Sequence, residues 1–222
     1  EAGLRAVNGK AIVNSVNGNR EVLETILPLC KKYGAAVVGL TMDHEGIPQT
    51  AEARIKIAKR ILDAALEFGI PREDVYIDCL TLTVSAQQEQ ALETLKAVHC
   101  VTEEMGLQTV LGVSNISFGL PAREHITVSF LTQAMYAGLS LPIVNPNQKA
   151  IMDAITAFRV LSMQDRDSAA YIERFANAPE PAAAPAPGDN NLTIETAIAR
   201  GLKTETAVLT EQALETMEEL EV

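Results

Sequence analysis

The stretch AAVVGLTMDHEGIPQTAEARIKIAKRILDAALEFGIPREDVYIDC (residues 35–79) decides the fold. It opens on AVVGLT (36–41) and closes on VYIDC (75–79), two short runs rich in β-branched residues and apolar at consecutive positions. Strands that are apolar on both faces belong to a buried parallel sheet. Between them Ile55, Ala58, Ile61, Leu62, Ala65 and Leu66 fall at helical spacing, which predicts a helix over residues 50–68 with Thr50 able to cap its start. Gly69 ends that helix and Pro71 bars its continuation. Strand, helix, glycine and strand together make a βαβ unit.

The unit repeats in both directions. Further strand runs lie at AIVNS (11–15), TVLGVS (109–114) and PIVNP (142–146). A capping box from Ser85 to Gln88 predicts a second helix that buries Leu92, Leu95 and Val98 and stops at Gly106. The helix-ending glycines Gly34, Gly69, Gly106 and Gly138 are spaced 35, 37 and 32 residues apart, the period of a βα unit. An open doubly wound sheet and a (β/α)8 TIM barrel both fit this period. The turn VNSVNGN (13–19) carries neither GxGxxG nor GxxxxGK[ST], so the phosphate-binding signature of the open sheet is missing. Polar residues at the strand ends suit the barrel, whose C-terminal rim is where chemistry is done. We therefore expect residues 1–177 to be α/β, an incomplete barrel of the TIM family comprising about the last five of its eight βα units.

Charge and composition bound the rest. The net charge is −11 without a Lys/Arg cluster, which argues against a nucleic-acid or anionic-membrane partner. Residues 1–178 hold 20 acids and 16 bases, whereas residues 179–222 hold nine acids and two bases. Between them APEPAAAPAPGDNN (178–191) reads as a semi-rigid linker, leaving residues 192–222 as a short helical segment. No apolar run approaches the roughly 18 residues a membrane span needs. EAGLRAVNGK is not a signal peptide, and the start at Glu1 hints at missing upstream sequence. Cys30, Cys79 and Cys100 form no CxxC pair, so buried thiols in a cytoplasmic protein are expected.

The residues at the strand ends are Asn14 with Ser15, Thr41 with Asp43, Asp78, Ser114 with Asn115, and Asn145. A phosphate site would want cations or Gly-rich loops near the last two strands. The loop GVSNISFGLP (112–121) has two glycines but neither Lys nor Arg. Amides and carboxylates suit a flat, polar heterocycle bearing N–H donors. Asp78 can accept two hydrogen bonds from an amino group and an adjacent ring N–H, and Asn14 can donate and accept on a neighbouring edge. Asp78 sits in an apolar strand, where a carboxylate needs a partner. Asp43 and Asn145 have a competing reading as turn formers. His44, His99 and His125 show no HxH or HxxxH spacing, so no metal site is expected.

These residues lie in runs that resemble a known family. GKAIVNSVNG (9–18), YGAAVVGLTMDHEGIPQTAEAR (33–54), VYIDCLTLTVSA (75–86) and TVLGVSNISFGLPAR (109–123) are similar to the pterin-binding domain of cobalamin-dependent methionine synthases. The same fold serves dihydropteroate synthase and the methyltetrahydrofolate:corrinoid/iron–sulfur protein methyltransferase. The resemblance covers residues 1–177, with VSNISFGLP (113–121) its most specific element, and makes the present strands the fourth to eighth of the barrel. It implies Asn14, Asp78, Ser114 and Asn115 as pterin-binding residues and Asn115 as the catalytic amide near N5; Asp43 and Asn145 stay as further candidates from their strand-end positions. Where dihydropteroate synthase has Ser-Arg-Lys, this chain has Ser114-Asn115-Ile116, and with both cations gone pyrophosphate displacement is not expected.

The tail LTIETAIARGLKTETAVLTEQALETMEEL (192–220) is similar to the start of the helical cap over methylcobalamin, although the cobalamin-binding DxHxxG motif is absent from this chain. The resemblance thus implies 5-methyltetrahydrofolate as methyl donor and cobalamin on an adjoining module, with zinc only in an absent homocysteine module. The implied activity is a methyltransferase that methylates cobalamin for methionine synthesis from homocysteine, this piece alone being inactive. The alternatives are the methyltransferase serving a corrinoid/iron–sulfur protein, and a catalytically inert structural fragment with open sheet edges.

Overall fold

A computed structural model of the chain describes residues 1–176, 193–199 and 201–216. The linker expected over residues 178–191 lies outside the described residues. The chain divides into two compact units, Glu1–Arg174 and Phe175–Val222.

All five expected strands form in the first unit: β1 (Ile12–Asn17), β2 (Ala36–Leu40), β3 (Val75–Asp78), β4 (Gln108–Gly112) and β5 (Leu141–Ile143). They make one parallel sheet in the order β1-β2-β3-β4-β5. That order decides between the two architectures. Right-handed crossovers that always step the same way place every helix on one face of the sheet, as in a barrel wall. A doubly wound sheet needs a reversal of strand order, and the described sheet has none. The fold is α/β and matches part of a (β/α)8 barrel.

The helices are α1 (Ala2–Ala6), α2 (Arg20–Tyr33), α3 (Ala51–Glu67), α4 (Glu89–His99), α5 (Arg123–Tyr136), α6 (Lys149–Leu161) and α7 (Ala169–Phe175). Leu23 and Leu27 of α2, Ile57 and Ile61 of α3, Val98 of α4 and Leu131 of α5 join Val37, Ile77 and Leu111 of the sheet in one buried core. Close approach is built in at Gly39, where a Cβ would lie 2.7 Å from Ile61 Cγ2. The four helix-ending glycines all have positive φ, from 61° at Gly106 to 111° at Gly138, the region that Gly enters without a Cβ penalty. Thr50 caps α3 as expected, its side chain accepting from the Ala53 N–H at 3.3 Å.

Several helical and strand assignments need correction. Leu66 shares the spacing of the apolar stripe and Leu92 was expected to be buried, yet they are 46% and 61% exposed. The buried stripe of α4 is Gln90, Thr94, Ala97 and Val98, and that of α3 includes Arg54. Polar side chains occupy the inner face here because they bond to one another, a pattern that hydrophobic periodicity does not register. Ser85 does not cap α4; its hydroxyl donates instead to the Phe118 carbonyl at 2.7 Å. The helix passes into a π-helical turn, Cys100–Glu104, before Gly106. At the strand ends, β1 runs on to Asn17, so Asn14 and Ser15 lie within it, while β4 stops at Gly112, two residues early. Cys30 and Cys79 are buried, Cys100 is half-buried, and all three are free thiols.

In the second unit α8 (Ile194–Ala199) and α9 (Lys203–Thr216) are joined through Gly201. Thr193 caps α8, its Oγ1 accepting from the Thr196 N–H at 3.3 Å. Among the described residues no helix is long and apolar enough to cross a membrane.

Candidate functional site

Strand register sorts the candidates by face. Asn17, Leu40, Asp78, Val110 and Leu141 are successive register partners across all five strands, and Asn14, Val38 and Tyr76 form another such row over three. Alternation puts both rows on the face opposite Val37, Gly39 and Ile77, which pack against the helices. Asp78 and Asn14 therefore share the helix-free face. They are two strands apart, about 10 Å across the sheet.

Asp78 is the last residue of β3 and 8% exposed. Its Oδ1 accepts the Leu80 N–H at 2.8 Å. Burial pushes the carboxyl up to about 6, against the pull of that N–H. Its carbonyl accepts from the Thr41 N–H at 3.0 Å and hydroxyl at 3.1 Å, tying the end of β3 to the end of β2. A carboxylate so placed has one oxygen committed to the backbone and retains acceptor capacity for a ligand.

The exit of β4 is built differently. A 3-10 turn, Val113–Ser117, carries Ser114 and Asn115. Ile116 and Ser117 are buried, whereas Asn115 is exposed and its amide has no hydrogen-bond partner among the described residues. That amide folds back over Gly112, where a Cβ would lie 3.0 Å from Asn115 Nδ2. The Ser114 carbonyl accepts from Arg123 Nη2 at 2.8 Å, and Arg123 Nε donates to Ser117 Oγ at 3.0 Å. The same guanidinium lies 4.3 Å from the Phe118 ring centroid. Thr83 and Ser85 both donate to the Phe118 carbonyl at 2.7 Å, and the Val84 N–H donates to the Ile116 carbonyl at 3.0 Å. The loops after β3 and β4 are thus stitched together, with Asp78 at one root and Asn115 at the other.

The remaining candidates have local partners. Asp43 Oδ1 accepts the Glu45 N–H at 3.1 Å and Oδ2 pairs with Arg60 at 3.0 Å; chiefly the backbone bond, then the guanidinium, hold its carboxyl below the usual range. Asn145 Oδ1 accepts the Asn147 N–H at 3.0 Å, closing an Asx turn. Asn14 is exposed on β1 where the register shifts. Two cations escaped the sequence reading, Arg123 at the start of α5 and the fully buried Arg54 behind the end of β3. The signal for Arg54 was its place in the apolar stripe of its helix. No group of three or more His, Cys, Asp or Glu that could hold a metal ion occurs among the described residues.

Residues 1–145, spanning all five strands, match the family model for pterin binding enzymes. The chain belongs to that family. This pterin-binding chain is 35% identical over 161 residues to methionine synthase from Mycobacterium leprae and 35% identical over 168 residues to methionine synthase from Mycobacterium tuberculosis. Those alignments cover 67% and 70% of this chain but only 13% and 14% of the relatives. It is also 29% identical over 167 residues to the methylcorrinoid:tetrahydrofolate methyltransferase of Eubacterium limosum, covering 74% of this chain and 62% of that protein. The pterin-binding chain thus spans less than two thirds of each of these relatives.

Proposed function

We propose that this chain supplies the pterin-side rim of a methyltransferase that moves the methyl group of 5-methyltetrahydrofolate onto a corrinoid carried by another module, serving methionine synthesis from homocysteine. The observation that carries the reading is the buried carboxylate of Asp78, half-satisfied, beside a loop that presents an unengaged amide.

In this reading the pterin lies on the helix-free face, with its amino group and adjacent ring N–H donating to Asp78. Asn14 takes a neighbouring edge from two strands away, and Ser114 lines the loop. Asp43 and Asn145 stand further out, each engaged in its own turn. The corrinoid enters as a substrate and supplies the nucleophile. When the bond from N5 to the methyl carbon breaks, its electron pair returns to N5, which must then be stabilised by a hydrogen bond or a proton. The Asn115 amide, exposed and without a competing partner, swings from above Gly112 toward N5 as that charge develops. Water held by the rim carboxylates delivers the proton. Microscopic reversibility makes the same groups serve the reverse transfer. The residues described in 192–222 lie mostly in α8 and α9, which suits the start of a helical cap on a cobalamin module.

The test is titration calorimetry of the full chain with 5-methyltetrahydrofolate and with dihydropterin pyrophosphate. Binding of the first with loss of heat in Asp78→Ala supports the reading. Preference for the pyrophosphate would replace it with a pteroate-forming chemistry.

A further inference from the structure

The geometry points to Arg54 as the positioning residue of the β3 exit: by holding the consecutive carbonyls of Cys79 and Leu80, it fixes the turn that presents the Asp78 carboxylate to the ligand. That the ligand is a pterin rests on the function proposed above.

Arg54 has no solvent exposure, and its hydrogen bonds all end on neutral acceptors. Nη1 donates to the Cys79 carbonyl at 2.9 Å, the Leu80 carbonyl at 3.1 Å and Thr94 Oγ1 at 2.9 Å. Nη2 donates to Gln90 Oε1 at 2.6 Å, and Nε to the Pro48 carbonyl at 3.0 Å. Gln90 is itself held by its amide donating to the Gln49 carbonyl and side chain, each at 3.0 Å. A buried cation without a carboxylate partner is costly, and an apolar residue would fill the space with less desolvation. What an apolar residue cannot do is bind two carbonyls in a row.

Those two carbonyls flank a backbone that needs holding. Leu80 has φ of 62°, left-handed for a residue with a branched side chain, and its N–H is the donor to Asp78. Thr94 reinforces the clamp, its hydroxyl lying 3.0 Å from the Leu80 carbonyl. The clamp reaches the turn from α3 and α4 at once: Nη1 makes both carbonyl bonds, while Nη2 and Nε anchor the guanidinium on Gln90 and the Pro48 carbonyl, a spread of directions that the single nitrogen of a lysine ammonium does not cover. The titratable groups around the turn are Asp78, the buried Cys79 thiol and Arg54, with Glu93 of α4 and Cys100 beyond them. Glu93 is occupied by the Ala51 N–H at 2.8 Å and by Lys96 at 2.7 Å, so it does not substitute for the clamp.

The experiment compares the full chain with Arg54→Lys, Thr94→Val and a core control, Leu27→Ala, which lies in α2 away from the rim. Two quantities are read: the Asp78 titration by carbon-13 NMR without ligand, and the affinity for 5-methyltetrahydrofolate. Loosening the turn weakens the Leu80 N–H bond, so Arg54→Lys should raise the Asp78 midpoint and weaken folate about tenfold, the worth of roughly one charge-assisted hydrogen bond. Thr94→Val should move both in the same direction by less, and it decides alone if Arg54→Lys does not fold. Leu27→Ala should move neither. An Asp78 midpoint unchanged in the rim variants, or shifted equally by Leu27→Ala, overturns the assignment. A shifted midpoint in a chain that binds no folate keeps the clamp and discards the pterin.

Discussion

The two strand exits that flank the candidate site are held by arginines in opposite ways. After β3 a fully buried guanidinium grips the two carbonyls that flank Leu80, and the candidate carboxylate of Asp78 is itself buried. After β4 the guanidinium of Arg123 works from the surface, binding one carbonyl and one hydroxyl, and the candidate amide of Asn115 is exposed over Gly112. Under the proposed function the difference separates two tasks. Recognition of a ring edge benefits from a preorganised acceptor, whose geometry costs nothing more at the moment of binding. Assisting a leaving group needs a donor that arrives as charge develops, so an amide without a resting partner is an advantage there. The two loops are nevertheless stitched through the Phe118 carbonyl, which keeps the fixed and the free residue in register.

Breaking the fixed side should have the largest effect. Asp78→Ala is expected to weaken 5-methyltetrahydrofolate binding about 100-fold, from the loss of a charge-assisted pair of hydrogen bonds. Asp78→Asn should cost about tenfold in affinity yet stabilise the ligand-free chain at pH 8. The sign follows from the carboxyl, raised to about 6. Such a group contributes stability that is complete below its unfolded pKa and is lost as pH rises through about 6. At pH 8 the charged form is a burden of up to about 2–3 kcal/mol, which the amide removes. Urea unfolding at pH 8 and pH 4 checks this, and a midpoint that falls at pH 8 would contradict it.

The free side should show its loss in rate. In the full-length protein with its corrinoid module, Asn115→Ala should slow methyl transfer about 30-fold while affinity changes by less than about threefold and thermal stability is unmoved. Single-turnover kinetics separate these quantities. A smaller effect, about tenfold in rate, is expected for Gly112→Ala, because the new Cβ would lie 3.0 Å from Asn115 Nδ2 and push the amide from its resting place. Equal rates for Gly112→Ala and the parent would mean that the resting place is immaterial. The mildest prediction concerns pH. Folate affinity should fall about tenfold from pH 7 to pH 5 as Asp78 is protonated, and the Asp78→Asn variant should be flat over that range.

The strands, the helix-ending glycines and the Thr50 cap were legible because each follows from local chemistry: β-branched runs, positive φ and a hydroxyl at an N-cap. Periodicity alone left two architectures open; the missing Gly-rich turn and the polar strand ends favoured the barrel, and the sequential sheet order agrees with it. Leu92 and Leu66 show where pattern reading fails. Their outward placement follows from Arg54, Gln90 and Thr94 occupying the inner faces of α3 and α4, and a polar network joining two helices 36 to 40 residues apart leaves no local mark. Among the candidates, Asp78 stands out in the sequence as a charge interrupting an apolar strand, and Asn115 enters through the family resemblance. Arg123 was overlooked because it lies beyond the loop in sequence and returns to it only in space.

Cys79 gives the clamp an experimental consequence. Its thiol is fully buried, burial holds it protonated, and its own carbonyl is one of the two that Arg54 grips. A disulfide reagent therefore reaches this sulfur only when the turn opens, and the rate of its labelling is a clock for that opening. Bound ligand should slow the clock. Cys30, equally buried in α2, provides the reference for opening of the domain as a whole.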